Sequence, residues 1–217
     1  MLKIMSKFYG QLAYQPAMAI QNSLVNSAKQ KGEFHLMLLE HPDTISMGIR
    51  SEFSEILTDL EKISELKISI HNSDRGGQTT FHSPGQLVAY PIIDLRKINI
   101  KPKDYVSKLQ LSIIETLSDV GIKAESKEMP IGVWVNTKKI ASIGVRIKQG
   151  ITSHGIALNI NNNLEHFQHI ISCGIKDNVQ TSIQNEINQI HPIDKVGELF
   201  SKNLAKVLGL QQENFKN

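Results

Sequence analysis

Between Ile131 and Ile160 the chain makes three extended runs, Ile131 to Val135, Lys139 to Lys148 and Ile151 to Ile160, broken only by Asn136-Thr137 and Gln149-Gly150. Breaks this short suit consecutive antiparallel hairpins. Further strands are expected at Phe34 to Leu39, Leu66 to Ile70 and Gln86 to Ile93. Helical periodicity marks three other segments. Pro16 to Lys31 puts Ala17, Ile20, Leu24 and Ala28 on one face and is followed by Gly32, Asp104 to Val120 does the same with Val106, Leu109, Ile113 and Leu117, and Ile193 to Leu208 with Val196, Phe200 and Leu204. Helices and strands in this order define an α+β chain. No repeat, low-complexity linker or shift of composition divides it, so residues 1–217 are expected to form a single domain.

Composition narrows the function. With 40% hydrophobic and 21% charged residues in 217, the chain is long enough to bury a large core. The net charge of +3, from 24 basic and 21 acidic residues, comes without a dense Lys/Arg stripe, so no nucleic-acid partner is expected. No run approaches the ~18 apolar residues of a membrane span, and the N-terminal residues lack the apolar core of a secretion signal. A cytoplasmic, membrane-free protein is expected. Its one cysteine, Cys173, rules out an internal disulfide and suits a reducing compartment.

Chemistry-bearing residues concentrate in Arg75-Gly76-Gly77-Gln78-Thr79-Thr80-Phe81-His82-Ser83-Pro84-Gly85-Gln86. Glycines let the backbone lie against a ligand, while Arg75 and His82 offer charge and hydrogen bonds; a plain glycine-rich turn has the same composition. Strand parity places Lys139 with Ala141, Ile143 and Val145 at the end of an apolar face, opposite Ser142 and Gly144. A lysine drawn into apolar surroundings is disfavoured as an ammonium ion and suited to act as a base, although lysines at strand ends also snorkel to water. In the next strand Ser153, Gly155 and Ala157 share a face. With Ser142 and Gly144 they leave room for a slender apolar ligand. His154 falls on the other, apolar face and reads as a hydrogen-bonded core histidine.

Taken in order, the stretch from Arg75 to Gln86, Lys139-Ile140-Ala141-Ser142-Ile143-Gly144, His154-Gly155-Ile156-Ala157-Leu158-Asn159 and Cys173-Gly174-Ile175 resemble the motif set of the lipoyl(octanoyl) transferases of lipoate biosynthesis. Leu39-Glu40-His41-Pro42 and Val179-Gln180-Thr181-Ser182-Ile183 extend the likeness over most of the chain. The resemblance implies a mixed, mostly antiparallel sheet flanked by helices, like the catalytic domains of lipoate and biotin ligases. It implies transfer of an octanoyl group from octanoyl-acyl carrier protein to a lysine of lipoyl domains, those of 2-oxoacid dehydrogenase complexes and the glycine-cleavage H protein. It puts the family's nucleophile on Cys173 and its paired lysine on Lys139. Arg75, Gly76, Gly77, Gln78, Thr79, Thr80, Phe81 and His82, then Ser142, Ile143 and Gly144, then Gly155, Ile156 and Ala157, fall on its substrate-binding segments. Two positions depart from the family: Ser83 stands where glycine is usual, and Phe81 where tyrosine is frequent.

The implied chemistry needs neither metal nor other cofactor. A thiolate is the attacking species, and a neighbouring amine raises its fraction. A lone cysteine is also commonly buried and inert. Related readings on the same fold are an ATP-dependent lipoate-protein ligase, an acyl-binding module without chemistry, and an enzyme moving octanoyl groups between lipoyl-bearing proteins. Basic residues such as Arg50, Arg146 and Lys148 are candidates to receive an acidic carrier protein.

Overall fold

Alternating apolar side chains give the central strands two buried faces, and two helical layers cover them. The computed structural model describes residues 2–128, 130–174 and 179–216, with backbone alone for Cys173, Asn214 and Lys216. In chain order the elements are β1 (Lys3–Gln11), α1 (Tyr14–Lys31), β2 (Phe34–Glu40), β3 (Thr44–Met47), α2 (Leu60–Glu65), β4 (Ser69–Asn72), β5 (Thr80–His82), β6 (Gln86–Ile92), α3 (Pro102–Asp119), β7 (Glu125–Glu128), β8 (Ile131–Val135), β9 (Lys138–Lys148), β10 (Ile151–Asn159), α4 (Ile183–Ile187), α5 (Ile193–Leu208) and β11 (Gln211–Lys216). Short 3-10 segments lie at Phe53–Glu55, Leu164–His169 and Ser172–Gly174.

Eight strands form the main sheet in the order β11-β1-β2-β6-β10-β9-β8-β7, and β4-β3-β5 form a smaller one. β1 runs parallel to β2 and β11; every other pair in the main sheet is antiparallel, so the sheet is mixed and mostly antiparallel. Leu36 and Leu38 of β2 and Leu87 and Ala89 of β6 face a core shared with Leu109, Ile113 and Leu117 of α3 and Phe200 and Leu204 of α5. Their neighbours Met37, Leu39, Val88, Tyr90 and Ile92 face the opposite way, toward Ala17 and Ala28 of α1. Each large apolar side chain so buried contributes about 1.5–3 kcal/mol. No helix among the described residues is long and apolar enough to cross a membrane.

The three amphipathic helices and the 131–160 hairpins lie where their periodicity puts them. The expected strand at Leu66 to Ile70 is displaced. Helix α2 carries the chain through Glu65, Lys67 ends it in a left-handed conformation (φ 57°), and the strand begins at Ser69 against β3. Strand β1 carries no run of apolar residues that marks it; its pairing with β2 and β11 makes it a strand.

Candidate active site

Strand β9 does not keep its alternation. Gly132 pairs with Ser142 and Val133 with Ala141, but Trp134 pairs with Lys139, which leaves Ile140 as an extra residue in a β-bulge. Ile140 and Ala141 therefore both enter the α3/α5 core, and Lys139 swings to the face of Gly132, Trp134 and Ser142. Simple parity had put Lys139 with Ala141, opposite Ser142; the bulge reverses this. Lys139 is fully buried, with Nζ 5.8 Å from the Trp134 ring centre. Its route depends on Gly132: a Cβ there would stand 2.6 Å from Lys139 Cε and 2.8 Å from the Ala141 carbonyl oxygen. On its other side the Lys139 backbone holds the segment after the cysteine, donating to Val179 O and accepting from Thr181 N, both at 2.8 Å.

A buried hydrogen-bond network joins this segment to the glycine-rich stretch. Arg75 donates through Nη2 to Ser46 O (2.6 Å) and Ser46 Oγ (3.0 Å), and through Nη1 to Gly76 O (3.1 Å). Gln86 Nε2 donates to Phe81 O and Asn159 Oδ1, which leaves Gln86 Oε1 to accept from His82 Nδ1 (2.8 Å). The network thus assigns the proton of His82 to Nδ1, so Nε2 accepts from the Ser46 hydroxyl at 3.0 Å. Asn159 Nδ2 donates to Thr181 O (3.0 Å), next to Lys139. Burial, then His41 and Arg75, holds His82 well below the usual histidine value, consistent with a neutral ring.

Between the α1 side of the main sheet and the small sheet lies a narrow slot lined by Arg75, Gly77, Gln78, Thr80 and His82 on one wall and by Ser142, Ile143, Gly144, Gly155, Ile156 and Ala157 on the other. Val88 and Tyr90 contribute to its floor. At Gly77, Gln78, Ile143 and Gly144 it meets an open groove of about 680 Å³ that Arg50, Gly76, Ile131 and Val145 also line. Gly77 and Gly85 take positive φ (92° and 89°), whereas Gly76 does not and donates to Val145 O across the groove.

His154 departs from alternation too. Its φ of 55° turns the ring toward Tyr90, edge-on at 5.8 Å, so it lines the slot instead of the α3/α5 core. Its Nε2 lies 2.7 Å from Asp74 Oδ1, and Arg146 holds the same carboxylate, tying the glycine-rich stretch to the β9–β10 hairpin. Burial, then Arg75 and Arg146, brings His154 down to about 4 despite that carboxylate, whose charge Arg146 already offsets. His41, donating Nδ1–H to Leu12 O and accepting from Tyr90 Oη at Nε2, is brought by burial to about 4 as well.

The remaining expected residues sit beside the slot. Thr79 turns to Glu55, and Phe81, on the opposite face of β5 from Thr80 and His82, packs with Phe167 in the small-sheet core. That apolar packing leaves no need for a tyrosine hydroxyl at Phe81. Ser83 is buried. The Cys173 side chain lies outside the described residues; its backbone forms the Ser172–Gly174 turn. Sequence reading missed Ser46, Glu55 and Gly132. Only Gly132, a glycine inside a strand, carried a signal, since such a glycine marks close approach.

The chain is thus an α+β protein whose mixed sheet opens a small-residue slot beside a glycine-rich stretch. Solved structures agree on the fold: a bi-partite lipoate protein ligase from Thermoplasma acidophilum superposes with a TM-score of 0.78 at 13% identity, covering 100% of this chain and 88% of that one. The biotin protein ligase of Aquifex aeolicus gives 0.53 at 15% identity over 96% and 70%. The sequence matches the family described as Lipoyl protein ligase A/B catalytic domain over residues 13–205. It is 38% identical to an octanoyltransferase of Solibacter usitatus over 93% of this chain and 91% of the relative. It is 39% identical to the mitochondrial octanoyltransferase of Arabidopsis thaliana over 86% and 80%. The chain belongs to the octanoyltransferases of this family and is an acyltransferase.

Proposed function

We propose that the protein takes an octanoyl group from octanoyl-acyl carrier protein onto Cys173 and passes it to a lysine of a lipoyl domain, in the cytoplasm. The observation that carries this reading is the backbone pairing of Lys139 with Val179 and Thr181, which holds the buried lysine against the segment that follows Cys173. In the first step Lys139 takes the Cys173 proton. The thiolate attacks the thioester carbonyl carbon, the bond to the carrier sulfur breaks, and the carrier leaves as a thiol with that proton. One thioester replaces another, so the step is nearly thermoneutral. In the second step the acceptor lysine, as a free amine, attacks the acyl-enzyme. Lys139 accepts a proton from it, the bond to Cys173 breaks, and the amide makes the step downhill.

The acyl chain enters the slot between Gly155 and Ala157 on one side and Thr80 and His82 on the other. Arg50, at the groove, is the basic residue best placed to meet a carrier, since Asp74 already engages Arg146. The acceptors are the lipoyl domains of 2-oxoacid dehydrogenase complexes and the glycine-cleavage H protein.

The test is intact-mass measurement after mixing wild type or Cys173→Ala with octanoyl-acyl carrier protein, without ATP. A single octanoyl adduct on wild type alone, discharged by an added lipoyl domain, supports the reading. Lipoyl-domain modification that requires ATP overturns it in favour of a ligase.

A further inference from the structure

Glu55, in the 3-10 turn Phe53–Glu55, is a buried carboxylate with no place in the steps above. Its Oε2 accepts from both the backbone N–H (3.1 Å) and the hydroxyl (2.5 Å) of Thr79, and its Oε1 accepts from Gln78 Nε2 (2.9 Å). Its own carbonyl accepts from Ile171 N at 2.7 Å, two residues before Cys173, and the adjoining Ile56 and Leu57 continue the pairing to Ile170 and His169. Gln78, oriented by this carboxylate, lies over Gly174 so closely that a Cβ on that glycine would stand 2.8 Å from Gln78 Cδ. One residue therefore grips both the substrate-lining stretch and the turn that carries Cys173, from opposite ends of its structure. Bonds to a carboxylate are stronger and more directional than neutral ones, which suits a group whose task is to fix the distance between two loops.

We infer that Glu55 is a positioning residue for acyl transfer: it sets Gln78 and the Cys173 turn in register, so that the bound thioester meets the cysteine. The inference rests on the acyl-enzyme reading above. Replacing Glu55 by Gln keeps the shape but turns one acceptor into a donor facing a donor, and so loosens one loop without opening a cavity.

The experiment is the rate of octanoyl loading from octanoyl-acyl carrier protein, followed by intact mass over a range of donor concentrations. It uses wild type, Glu55→Gln, Gln78→Ala, the double variant, and Glu52→Gln as an exposed control on the same turn. We expect Glu55→Gln to lower the loading rate at saturating donor about 10-fold or more with little change in half-saturation, and Glu52→Gln to match wild type. The double variant should load no more slowly than the slower single one, because both changes break the same linkage. Loading by Glu55→Gln at the wild-type rate, or losses that multiply in the double variant, would overturn the inference. Should Glu55→Gln not fold, Thr79→Val removes one of the three donors and is read in the same way. Failure of wild type itself to load removes the underlying reading, and this inference with it.

Discussion

The Lys139 side chain runs across the bare backbone of Gly132, its Cε 2.6 Å from where a Cβ would stand. The bulge at Ile140 aims the lysine to that side, and the missing methyl lets it pass.

Gly132→Ala is therefore expected to displace the lysine. The neighbouring Ala141 carbonyl, 2.8 Å from the new Cβ, cannot move without breaking the sheet, so the lysine must yield. Overpacking of this kind costs about 1–3 kcal/mol. Octanoyl transfer should fall at least 10-fold in a protein that still folds; transfer at the wild-type rate would mean that the route of Lys139 does not matter.

Lys139→Met separates packing from chemistry. Methionine fills nearly the same volume without the amine, so the protein should still fold while transfer is lost. Urea unfolding followed by the emission of Trp134, the chain's single tryptophan and the neighbour of Lys139, checks the first part, and a transfer assay checks the second.

Asn159→Ala should destabilise the fold by about 1–3 kcal/mol, because it takes the partner from Thr181 O and from one of the two N–H groups of Gln86 Nε2, the other staying on Phe81 O, in a buried network. Thermal melting provides the measurement. A loss no larger than that of an ordinary surface substitution would show that the network contributes little.

Stability should fall in mild acid. His41 and His154 take up a proton in the folded protein only near pH 4, against 6.5 ordinarily, so between these values the unfolded chain binds more protons. Their contribution is complete above pH 6.5 and is lost as the pH falls toward 4, by about 1.4 kcal/mol per unit for each histidine at most. Urea midpoints that stay constant from pH 7 to 5 would contradict the burial of these rings as uncharged groups.

Helices α1, α3 and α5, the hairpins from Ile131 to Asn159 and the ordered motif set were legible in the residues, because periodicities of 3.6 and 2 and glycine-rich spacing are local properties of a chain. Locality is also where that reading stopped. Alternation assumes an unbroken ladder, but the bulge at Ile140 arises from how β9 meets β8, and the turned backbone of His154 from how β10 fits between β9 and β6. No local pattern marks Glu55; the partners that hold it, Thr79 and Ile171, are 24 and 116 residues away in sequence. The sequence by itself determined the three amphipathic helices, the hairpins from Ile131 to Asn159 and the family they belong to. Only the tertiary structure decided which way Lys139 points and what holds the loops around it, since those depend on contacts between segments that no local pattern encodes.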